Sequence, residues 1–225
     1  MAYRAVTFDV YSALYDTPSG LAGALRTLFH RRGMTGDPVA TARTWRQKHM
    51  EFLLVSNSLD REPAKNLRAI EAAARYALRG LVPSLTREEL GDLVAVWERL
   101  PSWPEAVEVL QEVRRRPLTM GTLSNGDEAM LHALLGTLPV RFDCVISTEG
   151  GKFKPHPSVY RKALGLLNAR PEELLHVAGS HTDAMGATAA GITTLWANRA
   201  GEAVVDPRFA PAHESNDLRA VLELL

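Results

Sequence analysis

Asp9, Ser124-Asn125-Gly126, Lys154-Pro155, Ser180 and Asp183 each lie just beyond a short apolar run, and together they supply two carboxylates, hydrogen-bonding side chains and a cation. An ionised carboxylate can act as a nucleophile and form a covalent ester, provided a neighbouring cation favours its charged form and fixes one of its oxygens. Lys154 is the candidate cation; at about 4 Å and an effective dielectric near 20, such a contact is worth on the order of 4 kcal/mol before desolvation. Asp183 is a candidate to orient that lysine and a hydrolytic water. Taken singly, each of these residues is ordinary loop material, since Asp after a strand commonly caps a turn and Lys-Pro and Ser-Asn-Gly recur in loops. The chemical reading rests on their falling at successive strand ends of one topology.

That topology follows from the apolar runs near residues 4–8, 117–123, 142–147, 174–178 and 192–196, each the length of a buried parallel strand. Between them lie helical patterns: Ala106, Val109, Leu110 and Val113; Tyr160, Ala163, Leu164 and Leu167; and Leu218, Val221, Leu222 and Leu225. The alternation predicts a doubly wound α/β sheet of Rossmann-like character, in which ligands bind beyond the carboxyl ends of the strands. About eighty residues between the first and second runs show helical periodicity and no convincing strand, too many for a single crossover. Leu21, Ala24, Leu25 and Leu28 mark one helix there, and Leu67, Ile70 and Ala74 a second. Leu90, Leu93, Val94 and Trp97 mark a third, opened by Thr86-Arg-Glu-Glu89 as a capping box. The expected organisation is a core of residues 1–14 and 99–225 with an inserted helical cap at 15–98, and the Leu-Pro-Ser-Trp-Pro segment at 100–104 as the return linker.

Composition narrows the partners. Lys+Arg and Asp+Glu both total 26, so no net field draws the surface toward nucleic acid or an anionic membrane, and a small-molecule substrate is expected. The one cysteine, Cys144, has no internal disulfide partner and reads as a buried small hydrophobe in a reducing compartment. With no apolar stretch long enough to span a bilayer, the sequence reads as that of a cytoplasmic protein.

The motifs Phe8-Asp9-Val-Tyr11-Ser-Ala-Leu14-Tyr-Asp16, Leu123-Ser124-Asn125-Gly126, Lys154-Pro155 with Val159-Tyr160, and Asp183-Ala-Met-Gly186-Ala187 with Trp196-Ala-Asn198-Arg199 resemble the haloacid dehalogenase superfamily. Trp45-Arg46-Gln47-Lys48 is similar to the signature of its L-2-haloacid dehalogenase group. The resemblance implies that Asp9 displaces halide from Cα of a 2-haloacid, a small anionic organic acid, and that water then hydrolyses the ester to a 2-hydroxy acid. It also implies that Lys154 and Asp183 support Asp9, that Arg46 and Asn125 receive the halide, and that the Ser124 region holds the substrate carboxylate. Tyr11, Ser180, Gln47 and Met50 are implied as further substrate-binding residues. Members of that group are often homodimers.

Two positions favour carbon over phosphorus. Phosphatases of the superfamily place a second Asp two residues after the nucleophile, where this chain has Tyr11, which does not easily protonate a leaving group at neutral pH. Ala178 stands where the resemblance puts the first of an acidic pair that holds Mg²⁺, so catalysis without metal or other cofactor is expected. Ala13 replaces a Thr, Ala178 a Ser of the dehalogenases, Ser180 an Asn and Thr182 an aromatic residue. These smaller side chains predict a roomier pocket, bulkier substrates and weak turnover of ordinary haloacids. His156 and His181 flank the motifs and read as solvent-facing loop residues, with a general-base role as the alternative. Hydrolysis of another activated or strained C–X bond, an unusual phosphatase and a non-catalytic binding protein are the competing readings.

Overall fold

The computed structural model describes residues 3–59 and 64–225. Its sheet contains β1 (Ala5–Phe8), β2 (Thr119–Ser124), β3 (Cys144–Ser147), β4 (Leu174–Ala178), β5 (Thr193–Ala197) and β6 (His213–Ser215), in the spatial order β3-β2-β1-β4-β5-β6. Every pairing is parallel. The central strand β1 is buried along its whole length, as expected for a strand covered on both faces. Its last residue, Phe8, sits opposite Thr122 of β2 and Val177 of β4. The chain runs outward from β1 through β2 and β3 on one side and through β4, β5 and β6 on the other. The switch point where such sheets bind ligands therefore lies at the end of β1, where Asp9 follows.

The five expected strands are present within two residues of the predicted runs. The additional strand, β6, is three residues of His-Glu-Ser, too short and too polar to show a period. Cys144 is only half-buried; it lies on the edge-side strand β3 against Gly121, where a Cβ would come within 2.5 Å of its sulfur.

Between β1 and β2 lie α1 (Thr17–Arg31), α2 (Pro38–Ser58), α3 (Asn66–Leu78) and α4 (Arg87–Ala95). Both bonds of the Thr86–Glu89 capping box are made. The longest helix, α2, shows no apolar pattern in the sequence because two of the five residues on its buried face, Thr41, Ala42, Trp45, His49 and Leu53, are polar. The outgoing and returning chain segments run side by side: Tyr15 bridges Ser102 in antiparallel fashion, Asp16 N–H donates to Pro101 O at 2.8 Å, and the Trp103 indole N–H donates to Ser12 O at 3.0 Å. The remaining helices, α5 (Ala106–Arg114), α6 (Glu128–Leu135), α7 (Pro157–Leu167), α8 (His181–Ala189) and α9 (Ala220–Leu224), connect the strands and complete the α/β layers.

Candidate active site

Asp9 leaves β1 with its N–H bonded to Val177 O at 2.9 Å, then caps a single π-helical turn, Val10–Leu14. Such turns are uncommon and concentrate at functional sites. The turn brings Ser12 N–H to Asp9 Oδ2 at 3.2 Å, while Oδ1 faces the end of β2 and accepts a long bond, 3.4 Å, from the Ser124 hydroxyl.

Lys154 is the hub. Its side chain is almost wholly buried, and its ammonium donates to Asp9 Oδ1 at 2.9 Å, to Asp183 Oδ2 at 2.6 Å and to the Leu123 carbonyl at 2.8 Å. Those contacts use all the donors an ammonium has. Burial pulls the Lys154 pKa down, but Asp183 and Asp9 outweigh it and the net shift is upward. The Asn125 amide fixes the backbone that carries Lys154, accepting from Lys154 N–H at 2.7 Å and donating to its carbonyl at 3.3 Å.

Asp183, two residues into α8, is gripped from three sides. Oδ1 accepts from the Tyr160 hydroxyl at 2.9 Å, and Oδ2 accepts from Lys154 and from His176 Nε2 at 3.1 Å; the Thr7 hydroxyl lies 2.9 Å from His176 Nδ1. Burial raises the Asp183 pKa, yet Lys154 and then His176 pull harder and hold it well below the ordinary carboxylate range.

The cap contributes the opposite wall. Arg46 and Met50 of α2 meet Asp9, Tyr11, Asn125, Lys154, Ser180, Thr182 and Asp183 around a cavity of about 10 Å³. That space suits roughly one water molecule. The roomier pocket expected from Ser180 and Thr182 is therefore absent with α2 seated over the sheet: Arg46 and Met50 reach into the space, and the Ser180 and Thr182 hydroxyls bond one another at 3.2 Å. Arg46 donates to Ser12 Oγ at 3.1 Å; burial lowers its pKa while Asp9 opposes the change. Tyr11 lines the cavity, and its hydroxyl is buried with no hydrogen-bond partner among the described residues. Burial foremost, with Asp127 next, pushes the Tyr11 pKa up, so it is a neutral donor at physiological pH.

A divalent cation does not fit these residues. The Lys154 ammonium stands between the two carboxylates, both Asp183 oxygens already accept hydrogen bonds, and no trio of His, Cys, Asp or Glu suited to a metal occurs among the described residues. Gly179, just after β4, abuts the nucleophile turn so closely that a Cβ would lie 2.4 Å from Ala13 N.

Most of the residues singled out from the sequence therefore converge. Gln47 does not: it is exposed, because the residue after Arg46 points about 100° around the helix, away from the face shared by Arg46, His49 and Met50. Ser124 is fully buried against Asp9 and does not line the cavity. Ala178 packs with Ala184 and Trp196 instead of lining the cavity. His156 caps α7, its Nδ1 accepting from Ser158 N–H at 3.3 Å, and His181 pairs with Glu202 at 3.2 Å, so neither serves the site. The histidines that do approach it are His176 and His49, together with Tyr160, Trp97 and Ser12. A polar residue inside an otherwise apolar strand was the available signal for His176.

A family model described as haloacid dehalogenase-like hydrolase matches residues 3–191. The (S)-2-haloacid dehalogenase of Pseudomonas sp. (strain YL) is 30% identical over 224 residues, covering 98% of this chain and 94% of that protein. A phosphoserine phosphatase of Thermus thermophilus is 36% identical over 157 residues, 67% of this chain and 63% of that protein. Among solved structures, the L-2-haloacid dehalogenase of Xanthobacter autotrophicus with chloropropionic acid covalently bound superposes with a TM-score of 0.83 at 26% identity, covering 99% of this chain and 98% of that one. With its sheet order, its capped switch-point carboxylate and these matches over nearly its full length, the chain belongs to the haloacid dehalogenase-like hydrolases.

Proposed function

We propose that the protein hydrolyses 2-haloacids, of the (S) configuration by likeness to its relatives, to 2-hydroxy acids through an ester on Asp9. The observation that carries this reading is the Asp9–Lys154–Asp183 clamp, which holds one oxygen of Asp9 and leaves the other with a single backbone donor. In this reading residues 15–98 act as the cap over a core of 1–14 and 99–225.

Asp9 Oδ2 donates an electron pair to Cα of the substrate, the C–X bond breaks, and the halide leaves with the bonding pair, inverting that carbon. Arg46 and the second N–H of Asn125 receive the halide, and the Tyr11 hydroxyl supplies a neutral donor to the bound acid. Water then adds to Asp9 Cγ, aligned by Asp183; the Cγ–O bond to the substrate breaks, the 2-hydroxy acid departs with an Asp9 oxygen, and one proton passes to solvent. Overall one water is consumed and one equivalent each of halide and acid is released. Neither step uses a metal.

The test is a single turnover of (S)-2-chloropropionate in heavy-oxygen water with a chelator present. The expected result is unlabelled product and label in Asp9; label in the first-turnover product, or a requirement for Mg²⁺, overturns the reading. Asp9→Asn should abolish halide release.

A further inference from the structure

His49 lies on the buried face of α2, one turn after Trp45 and one before Leu53. It is fully buried but does not line the cavity. Its ring makes two short polar contacts, Nδ1 to Arg46 Nη1 at 2.7 Å and Nε2 to Asn66 Oδ1 at 2.8 Å. A guanidinium has only donors, so Nδ1 must accept. Nε2 then carries the proton and donates to the Asn66 oxygen, which fixes both the tautomer and the orientation of that amide. Burial, with Arg46 adding to it, pushes the His49 pKa down to about 3, so the ring stays neutral.

The chain of contacts continues into the core. Asn66 opens α3, and its N–H and that of Leu67 each donate at 2.8 Å to the two carboxylate oxygens of Asp127, three residues beyond Ser124. At the other end Arg46 reaches Ser12 in the nucleophile turn. Trp97 packs beside the His49 ring, centroids 4.9 Å apart and planes tilted by 60°. This arrangement is costly for a site that only needs filling: among the described residues the Asn66 Nδ2 is buried without a partner, and an apolar pair would bury the same volume at less cost. What a neutral imidazole supplies, and a carboxylate would not, is a fixed direction for the guanidinium with its charge left uncancelled.

We propose that His49 is a positioning residue for departure of the halide: as the neutral Nε2–H tautomer it aims Arg46 at the leaving group while leaving the full positive charge available to it. This rests on the assignment of Arg46 to the leaving halide. The consequence is specific, because weakening electrophilic help at a leaving group slows poor leaving groups more than good ones.

The test compares kcat/KM for 2-bromo- and 2-chloropropionate in the full-length enzyme and its H49L, H49Q, R46A and R46A/H49L variants. We expect H49L to raise the bromo-to-chloro ratio about tenfold, on the scale of losing one oriented electrostatic contact. In H49Q, whose amide can accept from Arg46 and donate to Asn66, the ratio should stay within about threefold of the parent. R46A should raise the ratio at least as far as H49L, and adding H49L to R46A should raise it no further. A uniform loss for both halides in H49L marks a purely structural histidine and overturns the proposal. An unchanged ratio in R46A overturns the Arg46 assignment and the proposal together, whereas a raised ratio in R46A with none in H49L overturns the proposal alone. If H49L does not fold, N66L, which keeps His49 but removes the acceptor that holds its Nε2–H and so the orientation of its ring, should move the ratio in the same direction, and no movement overturns the proposal.

Discussion

Lys154 shows how much of this site is decided by one side chain. Removing it leaves the Asp9 and Asp183 carboxylates facing each other in a buried space, and breaking a buried pair from one side typically costs about 3–5 kcal/mol. Lys154→Met should therefore lower the unfolding free energy by that amount in addition to abolishing halide release, as chemical unfolding at pH 7 would show. Asp183 adds a pH signature. Its pKa in the folded chain lies below the ordinary value of 3.8, so its contribution to stability is complete above about pH 4 and is lost as the pH falls through the folded value. Asp183→Asn should destabilise by about 3 kcal/mol at pH 7, with the gap to the parent narrowing below about pH 4 in paired denaturation curves. Asp9, Lys154 and Asp183 were legible in the sequence because strand ends in an open α/β sheet share one edge, so polar residues there must meet. His176 and His49 were not: His176 finds Thr7 across 169 positions of sequence and His49 finds Asn66 across 17, and no local pattern joins such pairs.

At the level of elements, α2 and α3 carry the cap's half of the site, and neither is held by its own sequence alone. The first residues of α3 have no side-chain cap from Lys65; their N–H groups are satisfied by Asp127 from the loop after β2. An N-cap supplied from elsewhere in the chain fastens the helix to the core as well as satisfying its donors. Asp127→Ala should cost about 1–2 kcal/mol in unfolding free energy, and amide exchange should quicken in the first turn of α3 while β1 and β4 stay protected. Equal acceleration across the sheet would show that Asp127 acts on the whole fold. The helix α2 escaped the periodicity that revealed α1, α3 and α4, since its inward face mixes Trp45 and Leu53 with Thr41 and His49. A helix that carries site residues on its buried face gives up part of its apolar stripe, and the same substitution of polar for apolar that hid the element also marks its use.

On the scale of the whole molecule, the two lobes close on a cavity of about 10 Å³, which accommodates no haloacid, so substrate access requires them to part. Closure is held by contacts outside the site: the Asn57 side chain near the end of α2 exchanges two 2.8 Å hydrogen bonds with the Phe153 backbone, Lys152 Nζ donates to Asn57 O at 3.0 Å, and Lys65 pairs with Glu149 at 3.2 Å. Phe153 directly precedes Lys154, so the contact that closes the cap also seats the lysine that clamps Asp9. Smaller side chains at Ser180 and Thr182 suggested from sequence a tolerance for bulk, but the lobe-to-lobe fit decides the space, and each added methylene must be accommodated by holding the lobes further apart. The kcat/KM values should fall steadily from chloroacetate through 2-chloropropionate to 2-chlorohexanoate. Asn57→Ala, which removes two interlobe bonds worth about 1–3 kcal/mol together, should flatten that series and raise KM for the shortest acid several-fold while lowering the unfolding free energy by no more than that amount. If the longest acid is instead the best substrate of the parent enzyme, the lobe-to-lobe fit does not set the substrate range.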